Sequence, residues 1–431
     1  MAVPIVRGRP ALPASPSASP TGTGRFQAVL IGVLFAFYAG ARIRLAPPDD
    51  TAAAGSDPLN TAVTLVALLL GGWLVLRHLR VVPRLLLGAA PLLLMLLAMF
   101  ASAAWSVAPE NSIRRSVTMT SLMLFAVGAQ AALGDQRLMR IALRAMLAAA
   151  ALSVMEAVLR PAYGFDTGEY ADAIRGLYGQ KNSFGISLFS GVLALSFGAL
   201  ARGRLSAADY AVSGALLLCL VLSRSTTSLL LSIAVCGITP LVIALDSPGA
   251  SRILAIIGLL LGVTAAGLLL LTVNTSDLLD LIGKDASLTG RTEIWEAIDE
   301  AIARRPLLGY GYSAFWIDGS NRVLRVWDHV AWEVISAHSG YREFLLHFGQ
   351  MGMLLLAAVV GLTFCLILRA IWYGRWRLGA WMLMFLGTLA VLNNSESVLF
   401  DVGLMTIYWM VGALSLAAVR PGRSGTPIHR G

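Results

Sequence analysis

Residues 86–104, LLGAAPLLLMLLAMFASAA, run for nineteen positions without a charged side chain. A helix of that length covers about 30 Å, the thickness of a bilayer's hydrocarbon core. The reading repeats along the chain. Apolar segments are expected at 26–42, 60–76, 86–104, 117–133, 139–159, 183–200, 207–222, 227–245, 253–273, 344–368, 379–392 and 398–418, which gives about twelve spans. Composition agrees, because 57% of the 431 residues are apolar and only 13% charged, against roughly 25% charged in soluble domains. A water-soluble enzyme is excluded. The expected fold class is an all-α polytopic membrane protein, with helices 1–9 in 26–273 and helices 10–12 in 344–418. Residues 1–25, rich in Pro, Ser and Gly, read as a disordered tail, and 419–431 as a second tail.

The net charge of +9 serves orientation rather than nucleic-acid binding. With the N-terminus inside, 18 of the 33 Lys and Arg residues fall in inside segments. Long loops weigh little in this rule. Setting aside the seven cations of the longest loop leaves 18 against 8, so both termini are expected to be cytoplasmic. The three cysteines, Cys219, Cys236 and Cys365, lie in apolar runs and read as packing residues.

The loops are unequal. Residues 274–343 form one long outside loop, and 160–182 a second. A simple pore does not need such a loop, whereas an enzyme working at the outer surface does. Within it TEIWEAIDEAIARR (292–305) places Ile294, Ile298 and Ile302 on one face of an amphipathic helix. Pro306 ends that helix, and Gly309 and Gly311 then predict a tight aromatic turn. Such a helix would lie on the membrane surface or roof a cavity.

Several residues carry candidate chemistry. His338, in SAHSGYREF just before the tenth span, is either a proton acceptor or an interfacial imidazole bonded to a carbonyl. Arg224, between two apolar helices, is either an anion ligand or a snorkelling loop residue. Lys181, opening the sixth span in GLYGQKNSFG, combines a cation with helix N-terminal N–H groups, a pair that suits phosphate; a snorkelling Lys is the plainer alternative. Arg291, Arg114 and Arg115 add outside-facing cations. Trp316 and Trp327 are either sugar platforms or interface anchors, and Glu343 is a candidate to orient His338. No Walker A sequence, His-x-x-x-His pair or tight Asp-x-Asp cluster is present, so no cofactor and no metal is expected. The scarce acids Glu156, Glu396 and Asp401 keep a proton-coupled transporter or lipid flippase open as another class of function.

Four segments together resemble the O-antigen ligase / polysaccharide polymerase (Wzy-type) family, nearest its exopolysaccharide polymerase branch. They are WSVAPENSIRRS (105–116), GLYGQKNSFG (176–185), LTGRTEIWEAIDEAIARRPLLGYGYSAFW (288–316) and SAHSGYREFLLHFGQMG (336–352). The resemblance implies a GT-C-like fold in the bacterial inner membrane, with the long loop periplasmic. It implies metal-independent, inverting glycosyl transfer from an undecaprenyl-pyrophosphate-linked oligosaccharide. The acceptor is another repeat unit in a polymerase, or lipid A core in a ligase. Carried over residue by residue, Lys181, Arg224 and Arg291 bind the pyrophosphate and His338 is catalytic. A chain-length regulator is a candidate protein partner. This chain has His338-Ser339 where the family often has His-Asn, and Gln180-Lys181-Asn182 where it often has His-Lys-Asn.

Overall fold

The computed structural model describes residues 22–42, 58–167, 170–246, 249, 251–254, 256–258, 291–317, 319–330 and 333–419. Most of both tails, most of the span expected at 253–273 and the first part of the long loop lie outside the described residues.

The chain is an all-α polytopic membrane protein. The bundle is built from α1 (Gly22–Tyr38), α2 (Pro58–Arg77), α3 (Val82–Ala101), α4 (Pro109–Leu133), α5 (Asp135–Leu159), the single turn α6 (Pro161–Gly164), α7 (Lys181–Arg202), α8 (Ala207–Leu222) and α9 (Thr226–Ala244). Then follow α10 (Arg291–Arg304), α11 (Asn321–Val330), α12 (Gly340–Trp372), α13 (Trp376–Leu392) and α14 (Leu404–Ala417). Among the described residues seven helices are long and apolar enough to cross a membrane, and four shorter apolar helices accompany them. Eleven of the twelve expected segments coincide with these helices.

Helix boundaries differ from the sequence reading by a few residues in several places, and three differences bear on the site. The fourth helix starts at Pro109 rather than 117, because Pro109 at the first turn and Glu110 beside it start a helix early. Arg114 and Arg115 are thereby on the helix and not in a loop. The last helix starts at Leu404 rather than 398, leaving 398–403 as a loop with Phe400 at φ 53°. In α12 the backbone breaks at Gly349, with φ 59° and ψ −156°, so its first nine residues form a separate helix from the long apolar part.

α7 sits at the centre, with 83% of its apolar window buried, whereas only 17% of the α2 window is buried. Exposed leucines on α2, such as Leu65, Leu69 and Leu76, are what a lipid-facing helix requires. α2 and α4 cross closely at Gly71, where an added Cβ would lie 2.5 Å from the Phe125 backbone nitrogen. Small residues at a crossing let two backbones touch, which is how membrane helices gain packing energy. Gly71→Leu is expected to cost about 1–3 kcal/mol by forcing the pair apart. The check is thermal melting of the detergent-solubilised protein, and an unchanged midpoint would contradict the close crossing.

The long loop has its own core. Ile294 and Ile298 of α10 pack with Phe315, Val326 of α11, Val334 and Leu346. α10 therefore packs into a small helical module beside the bundle, with Ile302 at its edge. The module is tied to the α3–α4 connection by Trp105 Nε1 donating to the Leu308 carbonyl (2.8 Å) and by Val107 N–H donating to Tyr310 (3.0 Å). α11 was not foreseen. Its NRVLRVWDHV pattern buries Val323, Val326 and Val330 at helical spacing.

Candidate functional site

The site is assembled from four loops that meet at one end of the bundle. The first is 160–180. After α6 the chain doubles back through a bridge between Phe165 and Ile174. The N–H groups of Arg175 and Gly176 both donate to the Gly164 carbonyl, at 2.9 Å each. This fold-back buries Arg175, whose guanidinium lies 3.7 Å from Asp166. The other oxygen of Asp166 accepts the Lys181 backbone N–H at 2.8 Å. Gln180, at the N-cap, makes no side-chain cap, so Asp166 serves the start of α7 from a distance. Lys181 is buried, and its ammonium lies 2.9 Å from the centre of the Tyr170 ring. The helix start expected to meet a phosphate is thus already furnished with a carboxylate and an aromatic ring.

The second loop joins α8 to α9. Arg224 adopts a left-handed backbone, φ 50°, which points its exposed side chain to Asp172 of the first loop in an ion pair. The third loop follows α13. Glu396 accepts from Asn182 Nδ2 at 2.9 Å and lies 3.4 Å from the Arg291 guanidinium. Glu396 therefore links the start of α7 to the start of α10.

The fourth segment carries His338. The Gly340 N–H donates to the carbonyls of both Asn393 (2.8 Å) and Glu396 (3.0 Å), which anchors the turn on the third loop. His338 has φ 45°. A left-handed conformation in a residue other than glycine is uncommon and costs on the order of 1–3 kcal/mol. The residue before it is clamped on both sides. Ala337 N–H donates to Glu343 Oε2 at 2.9 Å, and the Ala337 carbonyl accepts from Trp295 Nε1 at 3.0 Å. Trp316 Nε1 donates to Glu343 Oε1 at 2.8 Å, and Trp327 Nε1 donates to the Val334 carbonyl at 2.8 Å. The Trp316 N–H thus joins this clamp through Glu343, and the Trp327 N–H holds the stretch of chain that leads to it. Glu343 binds the backbone next to His338 rather than its ring.

Electrostatics fix the protonation state of His338. Burial lowers its affinity for a proton, the Arg291 charge lowers it further, and Glu343 opposes them, leaving the imidazole titrating at about 4. At neutral pH it is uncharged and able to accept a proton.

The structure thus brings His338, Arg291, Glu396, Asn182 and Lys181 into one network, with Arg224 on the adjoining 172–224 contact. Glu396, Asn182, Asp166, Asp172, Arg175 and Trp295 were not singled out as site residues from the sequence. Of these Glu396 is noted in the sequence, as an acid between two apolar segments.

Comparison with known proteins finds two similarities. Residues 211–357 match the family described as O-antigen ligase. The matched stretch holds Arg224, Arg291 and His338, while Lys181 and Glu396 fall outside it. The chain is also 28% identical over 271 residues to the exopolysaccharide production protein ExoQ of Rhizobium meliloti (strain 1021). That similarity covers 60% of this chain and 61% of the relative's length.

Proposed function

We propose that this protein transfers an oligosaccharide from a polyprenyl pyrophosphate to an acceptor hydroxyl, lengthening an exopolysaccharide at the outer face of the bacterial inner membrane. The observation that carries the reading is an uncharged His338, held on a strained turn beside Arg291 at one end of the helical bundle. The similarity to an O-antigen ligase domain and to an exopolysaccharide production protein supports the reaction class. Both termini face the cytoplasm in this reading, and the 274–343 loop faces the periplasm.

In the reaction the acceptor oxygen bonds to the anomeric carbon and the carbon–oxygen bond to the pyrophosphate breaks. The acceptor's proton goes to His338, and the lipid pyrophosphate leaves with the electron pair. Direct attack inverts the anomeric centre. Charge builds on the departing pyrophosphate, and fixed cations aimed at that charge lower the barrier without a metal. Arg291 and Arg224 hold those places, each paired in the resting site with a carboxylate that the incoming phosphate would displace. Lys181, nearby on α7, adds to the positive potential.

The test uses purified protein and one lipid-pyrophosphate-linked repeat unit as both donor and acceptor. A ladder of products spaced by one repeat is expected on a gel. In a parallel reaction with lipid A core added, attachment of the glycan to that core with no ladder would replace polymerisation by ligation, a reading that the O-antigen ligase match supports. Transport of the lipid without a new glycosidic bond would overturn both.

A further inference from the structure

Arg291, Trp295 and Asp299 recur every four positions and so form one stripe along α10. It runs beside the stripe of Ile294, Ile298 and Ala301 that packs into the module core. Each member of the polar stripe is bonded across to a segment that carries or holds His338. Arg291 lies 3.4 Å from Glu396 of the third loop. Trp295 Nε1 donates to the Ala337 carbonyl at 3.0 Å. Asp299 lies two turns further on, about 12 Å along the helix from Arg291. Its carboxylate accepts two hydrogen bonds from Arg342 in the first turn of α12, from Nε at 2.8 Å and from Nη2 at 2.9 Å, one on each oxygen.

Arg342 does more than pair with Asp299. Its guanidinium also lies 4.5 Å from the centre of the Trp295 ring, so it holds two of the three stripe residues. The next residue, Glu343, accepts the Ala337 N–H. The first turn of α12 therefore governs both sides of Ala337, the N–H directly through Glu343 and the carbonyl through Arg342 and Trp295. That carbonyl belongs to the planar peptide joining Ala337 to His338. Holding it restrains the φ of 45° that His338 adopts.

A lone exposed ion pair contributes little, because solvent screens it and two long side chains lose their freedom. A guanidinium engaged by two parallel bonds and a ring face is different, since the planar fork fixes direction as well as distance. The module has an apolar core of its own. What the pair adds is register: the place of α10 against α12, and with it the place of Arg291 against His338.

We infer that Asp299 and Arg342 are positioning residues, a two-bond pin that sets α10 against α12 and so aims Arg291 and the Ala337–His338 peptide at the reacting groups. Its effect on the rate rests on the glycosyl-transfer reading above, whereas its effect on the His338 environment rests on geometry alone.

The test therefore takes two readings of the full chain in nanodiscs. Without substrate, ring-labelled histidine is titrated by nuclear magnetic resonance between pH 3 and pH 8, and the His338 signal is identified by its loss in His338→Asn. With a lipid-pyrophosphate-linked repeat unit, kcat and KM are measured. The charges that act on the imidazole are Arg291 of α10 and Glu343 of α12, and Glu396 of the third loop faces Arg291. Asp299→Asn and Arg342→Gln should each let Arg291 draw away, so that His338 titrates above its wild-type midpoint of about 4. Each should also lower kcat by about 10-fold or more with KM changed less, since a misplacement of about 1 Å costs roughly 10²-fold. The double variant should be no worse than either single one, because each removes the same pair. Arg342→Lys, which keeps the charge and loses the fork, should fall between. Glu300→Gln breaks the Glu300–Arg304 pair elsewhere on α10 and should match wild type in both readings.

Additive losses in the double variant would overturn the pin. So would a loss in Glu300→Gln equal to that in Asp299→Asn, which makes the effect a general loosening of α10. A loss in Arg342→Gln with none in Asp299→Asn also overturns it, by making Arg342 a direct contact of the substrate. If no protein, wild type included, forms a glycosidic bond, the glycosyl-transfer reading fails and the titration alone decides. Raised His338 midpoints in both single variants then sustain the pin, and unmoved midpoints overturn it.

Discussion

His338→Ala is expected to leave cells with single lipid-linked repeat units and no polymer, at membrane protein levels equal to wild type. A positioned base contributes roughly 10²–10⁴ in rate, so a residual short ladder after long incubation is consistent with the assignment. Alanine at this place also inherits the left-handed backbone of the turn. The informative control is therefore His338→Asn. Asparagine tolerates that conformation better than most side chains, but it cannot take the acceptor's proton. If the lost rate comes from the missing base, Asn and Ala are equally inactive while Asn melts closer to wild type. If it comes from a collapsed turn, Asn recovers activity along with stability. Normal polymer from either variant removes His338 from the mechanism.

The sequence made the spans legible because a bilayer imposes a length and a polarity on each helix separately. The amphipathic helix at 291–304 was legible for a similar local reason, since its isoleucines recur at helical spacing. What was not legible depends on contacts between distant segments. Nothing local to Asp166 says that it serves the start of α7, or that Glu396 joins Asn182 to Arg291 across 214 and 105 positions. The roles weighed for the tryptophans show the same limit. Both sugar stacking and interface anchoring suit an exposed indole, and nothing local says that the Trp316 N–H donates to Glu343 or the Trp327 N–H to the Val334 carbonyl. His338 was legible as a titratable group beside a turn. Its strained φ and its lowered proton affinity come from the clamp on Ala337 and from Arg291, which only the folded chain brings together.

Arg291→Gln is expected to change both the size and the pH dependence of the rate. Removing one preorganised donor from developing charge costs roughly 10²–10³ in kcat. The pH effect has a definite sign. In wild type His338 titrates at about 4, so kcat/KM is flat on the acid side until the pH falls near that value. Arg291 is one of the two influences that hold the imidazole down, burial being the larger. Without the cation the imidazole holds its proton more readily, and the acid limb moves to higher pH, towards the ordinary value of about 6.5. Glu343 opposes Arg291, so Glu343→Gln should move the limb the other way. Arg291→Lys keeps the charge and loses the planar fork; it should lower kcat while leaving the limb near its wild-type position. The measurement is kcat/KM for the purified protein between pH 3 and pH 8 with a lipid-pyrophosphate-linked repeat unit. A Gln variant that is slower at every pH with an unmoved limb would mean that Arg291 binds the substrate but does not set the state of the base. Opposite shifts in Arg291→Gln and Glu343→Gln would instead establish His338 as the titrating group, because its field is set by these two residues with opposite signs.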